Sequence, residues 1–108
     1  MIRTTIRSFL ACALALAIAP AWADIKVGLT LALTGPAASL GNPSHNAVKL
    51  FPREINGEKI DYVVLDDGSD PTNALRNFLK LADDNVDVVL GSSVTPATLA
   101  LVGPAAER

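Results

Sequence analysis

Apolar and polar positions alternate along this chain with two different periods, which divide it into strand-like and helix-like segments. Three short apolar runs, with β-branched residues among them, predict strands at residues 25–31, 59–66 and 86–90. Apolar positions at helical spacing predict helices at residues 44–55, from Pro71 onwards, and at residues 96–103. Strands and helices that alternate in this way predict right-handed βαβ units, and therefore an α/β fold with a parallel sheet.

The first two helices have recognisable start and stop signals. Asp70 followed by Pro71 predicts the start of the second helix, because Asp accepts hydrogen bonds from free N–H groups and Pro suits the first helical position. Pro52 is predicted to bend or end the first helix, and the Asn56–Gly57 pair to stop it. The first helix is predicted to place one apolar face inward, formed by Ala47, Val48, Phe51 and Ile55.

Residues 1–23 have the pattern of a secretory signal peptide. Arg3 and Arg7 precede an unbroken apolar run at residues 9–19, and small residues at Ala21 and Ala23 follow it. A membrane anchor is the alternative, but a span needs about 20 apolar residues and this run is shorter. The pattern therefore predicts cleavage after Ala23, export, and no membrane insertion once the signal is removed.

Composition narrows the possible chemistry of the exported part. The only cysteine, Cys12, lies within the predicted signal, so the remainder can form neither a disulfide nor a thiolate metal site. The formal net charge is −2, and removing Arg3 and Arg7 makes the chain more acidic, which disfavours nucleic acid as a partner. His45 is the only histidine, and no motif for a nucleophile is present. These features argue against an enzyme, a cofactor and a bound metal.

Ligands of open α/β sheets bind at the carboxyl ends of the strands. Of the three predicted loops at these ends, the third, residues 91–95, has the clearest pattern of a binding site. Ser92, Ser93 and Thr95 supply hydroxyl groups there, and the helix that follows supplies free N–H groups. Together these donors predict a cradle for a carboxylate. The alternative is that Thr95 is simply the N-cap of a helix whose first residue is Pro96.

The other two loops at this edge predict less specific chemistry. Residues 34–41 match neither the dinucleotide nor the mononucleotide phosphate motif, so a turn-rich binding loop without phosphate chemistry is favoured. Residues 66–70 are acidic, but they lack the ligand spacing of a calcium loop. A solvated turn followed by the Asp70 N-cap is the favoured interpretation of that segment.

Six segments, taken together, carry a resemblance to a known family: IKVG at 25–28, LTGPAASLG at 33–41, EING at 54–57, VLDD at 64–67, SDP at 69–71 and VDVVLG at 86–91. Their order and spacing resemble the opening of the leucine/isoleucine/valine-binding family, the periplasmic solute-binding proteins of ABC transporters. The resemblance implies a two-lobed fold with flavodoxin-like lobes. It also implies capture of amino acids or related small acids for a permease in the inner membrane.

The resemblance implies roles for four residues. Thr95 matches the position whose hydroxyl, with helix N–H groups, holds the ligand carboxylate, and Ser93 and Ser92 would line the same pocket. Leu40 matches a position that often carries an aromatic side chain against the ligand. Leu40 is not aromatic and the connection after the first helix is short, so the ligand is left open between an amino acid, an aromatic acid and another carboxylate.

Full members of the family are several times longer than this chain. Arg108 comes where an α/β fold would next place a strand, so residues 24–108 are expected to be a partial N-terminal lobe. The expected function is an exported, periplasmic solute-binding component of ABC-type uptake of amino acids or small carboxylates. A ligand-sensing receptor domain on the same fold and a small exported α/β enzyme are the alternatives.

Overall fold

The computed structural model describes residues 24–108, so the predicted signal peptide, Cys12 and the cleavage site after Ala23 lie outside the described residues. The elements are β1 (Ile25–Leu31), α1 (Ala38–Val48), β2 (Glu54–Ile55), β3 (Glu58–Asp66), α2 (Pro71–Asp83), β4 (Val88–Leu90) and α3 (Thr95–Ala106). They form one four-stranded sheet with the order β2-β3-β1-β4. β1 pairs in parallel with both β3 and β4, which confirms the predicted α/β fold with a parallel sheet.

The first helix differs from its prediction at both ends. α1 spans Ala38–Val48 rather than residues 44–55, and of its predicted inward face only Val48 is buried. The reason lies at Asn56 and Gly57, whose φ angles of 52° and 84° form a tight hairpin turn. This turn pairs β2 antiparallel with β3. The segment that was expected to end a helix instead forms β2, a short strand in addition to the three that were predicted.

Alternate residues of β1 face opposite sides of the sheet, and each side is covered by different helices. On one side Leu29 and Leu31 pack with Val48 of α1. On the other side Gly28 faces Leu81 of α2, which would collide with a Cβ atom at position 28. A second apolar cluster joins α2 to α3 and consists of Ala74, Phe78, Ala97 and Leu101.

β4 is less covered than its apolar sequence suggests. The pattern of residues 86–90 is typical of a strand buried on both faces. In the structure Val89 packs against the cluster between α2 and α3, whereas Val88 and Leu90 face the other way and are 49% and 41% exposed. Within the described residues β4 pairs only with β1, so it forms one edge of the sheet.

Parallel pairing brings the carboxyl ends of β1, β3 and β4 to one edge of the sheet. Leu31 is level with Asp66, and Leu29 is level with Leu90. The loops that lead into α1, α2 and α3 therefore leave the sheet side by side. None of the helices found within residues 24–108 has the length and apolarity that a membrane span requires.

Candidate ligand-binding site

The start of α3 carries hydrogen-bond donors that no side chain caps. α3 begins at Thr95, and the N-cap position falls on Val94, which has extended backbone angles and makes no side-chain cap hydrogen bond. Thr95 is therefore not the N-cap that the simpler interpretation of the sequence required. Because Pro96 has no N–H, the N–H groups of Thr95 and Ala97 are the donors of the first turn, and they lie where the helix dipole is positive.

Ser92 is fixed from two sides inside the loop before α3. Its hydroxyl donates a hydrogen bond of 2.7 Å to Oδ2 of Asp67. The Thr98 hydroxyl lies 3.1 Å from the Ser92 carbonyl oxygen and 3.2 Å from that of Val94. The single hydroxyl hydrogen of Ser92 is thus engaged within the protein, and its hydroxyl oxygen accepts a long hydrogen bond of 3.5 Å from the Val94 N–H.

Ser93 differs from Ser92 because its hydroxyl is not engaged. Its oxygen is buried and has no hydrogen-bond partner anywhere in residues 24–108. A buried hydroxyl without a hydrogen-bond partner costs about 1–3 kcal/mol. The neighbouring side chain of Thr95 is exposed. This pair therefore offers one buried and one accessible hydroxyl beside the uncapped helix start.

Leu40 lies in the first turn of α1, at the start of the helix that follows the neighbouring strand β1. Its side chain is 56% exposed, so it is accessible at this position. The structure thus places Ser92, Ser93 and Thr95 in one loop and at one helix start, and places Leu40 at the start of another helix on the same edge of the sheet.

Asp66 joins the loop after β1 to the loop after β3, a role that the sequence analysis did not identify. Its Oδ1 accepts hydrogen bonds from the backbone N–H groups of Leu33, Thr34 and Gly68 at 3.0, 3.2 and 2.8 Å. Its Oδ2 accepts from the Thr34 hydroxyl at 2.7 Å. Partial burial alone would raise the pKa of Asp66, but these hydrogen bonds outweigh it and lower the pKa below its ordinary value.

Asp67 corrects the interpretation of residues 66–70 as a solvated turn, because it is fully buried. It accepts hydrogen bonds from the Ser92 hydroxyl, from the Thr30 hydroxyl at 3.2 Å and from the Ser69 N–H at 2.9 Å. The Asp70 N-cap prediction is confirmed by a 2.9 Å bond from the Asn73 N–H. Side-chain alternation at a strand end was the signal that could have separated Asp66 from Asp67.

No group of three or more His, Cys, Asp or Glu side chains in residues 24–108 is placed to hold a metal ion. An open groove of about 790 Å³ does occur, lined by Val86, Val88, Ala105 and Arg108 among others. It lies at the amino end of β4, whereas the predicted site residues lie at the carboxyl ends of the strands.

The described residues therefore combine an α/β sheet whose main strands are parallel with an uncapped helix start at the carboxyl ends of those strands. Residues 24–108 match the family model described as periplasmic binding protein. The chain therefore belongs to the periplasmic binding protein family. Its similarity to a leucine/isoleucine/valine-binding relative confirms the resemblance seen in the sequence.

Three relatives illustrate the match. The Leu/Ile/Val-binding protein homolog 1 of Brucella abortus is 38% identical over 77 residues, which covers 66% of this chain and 21% of that protein. An extracellular ligand-binding receptor from Rhodopseudomonas palustris HaA2 is 50% identical with a TM-score of 0.75, over 79% of this chain and 24% of that one. A solute-binding protein of an ABC transporter from Rhodopseudomonas palustris BisB5, solved with 3,4-dihydroxybenzoic acid, is 36% identical with a TM-score of 0.73, over 78% and 24%. The chain thus spans about a quarter of the length of these relatives.

Proposed function

We propose that residues 24–108 form the N-terminal part of a solute-binding component of ABC-type uptake, and that its ligands are amino acids or other small carboxylates. The observation that carries the proposal is the uncapped start of α3, which lies beside the buried, unpartnered hydroxyl of Ser93. Family membership supports binding as the activity. We assign ligand binding rather than catalysis to this site. The proposed partner of the protein is a permease in the inner membrane.

The proposed ligand places its carboxylate at the start of α3. The N–H groups of Thr95 and Ala97 donate to it, and the positive end of the helix dipole favours its charge. The hydroxyls of Thr95 and Ser93 add two further donors. Leu40 contacts the apolar part of the ligand from the start of α1, and Ser92 supports the loop from below through its bond to Asp67.

Two classes of ligand fit this arrangement. One relative is named for leucine, isoleucine and valine, and another was solved with 3,4-dihydroxybenzoic acid. Both classes present a carboxylate next to an apolar body, which is the combination that the helix start and Leu40 would recognise. L-leucine and 3,4-dihydroxybenzoate are therefore the two probes with which the proposal is tested.

The binding experiment follows the backbone amides of the ¹⁵N-labelled chain by NMR during titration. We expect 3,4-dihydroxybenzoate or L-leucine to shift the amides of Thr95 and Ala97, and the uncharged 3,4-dihydroxybenzamide to leave them unchanged. Titration to about 10 mM would register binding as weak as roughly 3 kcal/mol. If neither acid moves these amides at that concentration, the proposed function is wrong for this chain.

Export is proposed through removal of residues 1–23, which delivers the remainder to the periplasm. Expression in a Gram-negative host and mass spectrometry of the periplasmic fraction test this step. We expect a product whose first residue is Asp24. An uncleaved product in the cytoplasmic fraction would contradict both the signal and the location.

A further inference from the structure

We propose that Asp67 is a positioning residue for the ligand site: its buried carboxylate fixes Ser92 and thereby sets the start of α3. The inference rests on the proposed function, because it concerns the same site. It adds a residue that lies outside the four predicted site residues and that would act without touching the ligand.

The position of Asp67 is set by contacts from several segments. Its backbone N–H donates to the carbonyl oxygen of Leu31 at 2.9 Å, at the end of β1. Its carboxylate accepts from Thr30 in β1, from Ser69 in its own loop and from Ser92 in the loop before α3. With no exposed surface, this carboxylate obtains its hydrogen bonds from the protein, and removing one donor or acceptor is costly.

The direction of these hydrogen bonds is fixed by Asn77 of α2. Its side-chain N–H₂ group donates to the Thr30 hydroxyl oxygen at 3.2 Å and to the carbonyl oxygen of Asp66 at 2.9 Å. Thr30 therefore accepts from Asn77 and gives its own hydrogen to Asp67. Because Ser92 also donates to Asp67, the side chain at position 67 has to be an acceptor toward both hydroxyls.

Ser92 transmits the position of Asp67 to the ligand loop. Its hydroxyl donates to Asp67, and its carbonyl oxygen shares the single hydrogen of the Thr98 hydroxyl with the Val94 carbonyl oxygen. Thr98 also donates its backbone N–H to the Val94 carbonyl oxygen at 3.0 Å, the first hydrogen bond of α3. A shift of Ser92 would therefore move the backbone before α3 and change the orientation of the Thr95 N–H group.

Asp67→Asn tests this arrangement with almost no change of shape. An amide supplies only one oxygen, so it cannot accept from Ser69 on one side and from the hydroxyls of Thr30 and Ser92 on the other. Whichever way the amide turns, at least one of these donors loses its acceptor. Asp70→Asn is the matched control, because it removes the same charge three residues away and Asn is an equally good N-cap.

Two readouts separate positioning from simple stabilisation. In the ligand-free chain, we expect Asp67→Asn to raise the hydrogen-exchange rate of the Thr98 amide about tenfold relative to that of the Ala74 amide in α2. At a temperature where both chains are fully folded, we expect its affinity for 3,4-dihydroxybenzoate, or for L-leucine if that is the acid that binds, to fall about tenfold, or about 1.4 kcal/mol. Asp70→Asn should change neither quantity by more than about twofold.

Each outcome has a distinct meaning. A lower melting temperature with unchanged folded-state affinity and unchanged Thr98 exchange would make Asp67 merely structural and would overturn the proposal. If the unsubstituted chain binds neither acid, the proposed function fails, while the exchange of Thr98 still decides whether Asp67 positions the loop. If Asp67→Asn does not fold, Ser92→Ala removes the same hydrogen bond from the loop side. Thr98 exchange that is unchanged in a folded Ser92→Ala variant would then overturn the proposal.

Discussion

The Thr34 hydroxyl donates a hydrogen bond of 2.7 Å to Oδ2 of Asp66, which joins the loop before α1 to the end of β3. Ser69 reinforces the junction by donating to the carbonyl oxygen of Thr34 at 2.8 Å. Two consecutive aspartates therefore serve different loops: Asp66 fixes the approach to α1, and Asp67 fixes the approach to α3. These two residues at the end of β3 thus hold the loops that lead into α1 and α3, the two helices whose starts are proposed to contact the ligand.

Asp66→Asn should make the stability of the chain less sensitive to acid. The native pKa of Asp66 is lowered, so its carboxylate stabilises the fold above its ordinary pKa of 3.8, and this contribution is lost as the pH falls through the native pKa. We expect the variant to be less stable than the unsubstituted chain at pH 7, by at most about 1 kcal/mol, because Asp66 is exposed and solvent screens its interactions. The two melting temperatures should converge below pH 3.8.

Asp61→Asn is the control for that pH series, because it removes the same charge from an exposed position of β3. A plot of its melting temperature against pH should run parallel to that of the unsubstituted chain between pH 7 and pH 3. A constant difference between Asp66→Asn and the unsubstituted chain from pH 7 to pH 3, measured by circular dichroism, would show that Asp66 makes no such contribution.

The sequence predicted the elements well wherever one signal had one meaning. Asp70–Pro71 started α2 where expected, because an N-cap and a proline at the first helical position agree. Asn56–Gly57 carried two meanings, helix stop and hairpin turn, and pairing with β3 decided between them. The start of α1 was missed because Gly41 and Pro43 are typical of loops, whereas the structure accommodates both inside a helix.

The candidate site was predictable in its donors but not in the network beneath them. The hydroxyls of Ser92, Ser93 and Thr95 could be placed at a helix start from the order of elements alone. The hydrogen bond from Ser92 to Asp67 joins residues that are 25 positions apart, and local sequence patterns do not reveal such a contact. The same limit applies to Thr30 and Asn77, which looked like an ordinary strand residue and an ordinary helix residue.

Gly41→Ala should destabilise the fold although it places a better helix former inside α1. Gly41 is buried, and a Cβ atom there would overlap the backbone carbonyl of Ala32, which cannot move without shifting the end of β1. Such overpacking costs about 1–3 kcal/mol, which exceeds the gain of roughly 1 kcal/mol in helix propensity. We expect a lower urea midpoint with an unchanged slope.

Gly103→Ala provides the matched test in α3, where a Cβ atom would meet nothing within 4 Å. Helix propensity alone then acts, and we expect stabilisation of up to about 1 kcal/mol. If both substitutions stabilise the chain, α1 does not approach Ala32 as closely as the structure shows.

Ser93→Ala should separate stability from binding. The buried Ser93 hydroxyl has no partner within residues 24–108, so its removal should leave the melting temperature unchanged or raise it. The same change should weaken binding of 3,4-dihydroxybenzoate or L-leucine several-fold, since a donor to the carboxylate is lost. Ser39→Ala, at an exposed position of α1, should alter neither quantity. A melting temperature that falls, with affinity unchanged, would show that Ser93 acts in packing and not in recognition.

Leu40→Ala should weaken ligand binding without weakening the fold. The side chain is 56% exposed, so truncating it removes little buried area, and we expect a change of no more than about 0.5 kcal/mol in unfolding free energy. If Leu40 packs against the apolar body of the ligand, its truncation should reduce the affinity for 3,4-dihydroxybenzoate several-fold, measured by the amide shifts of Thr95. Leu99→Ala removes a leucine of similar exposure, 65%, from α3 and should leave the affinity unchanged. Equal affinities of the two variants would exclude Leu40 from the site and confine recognition to the start of α3.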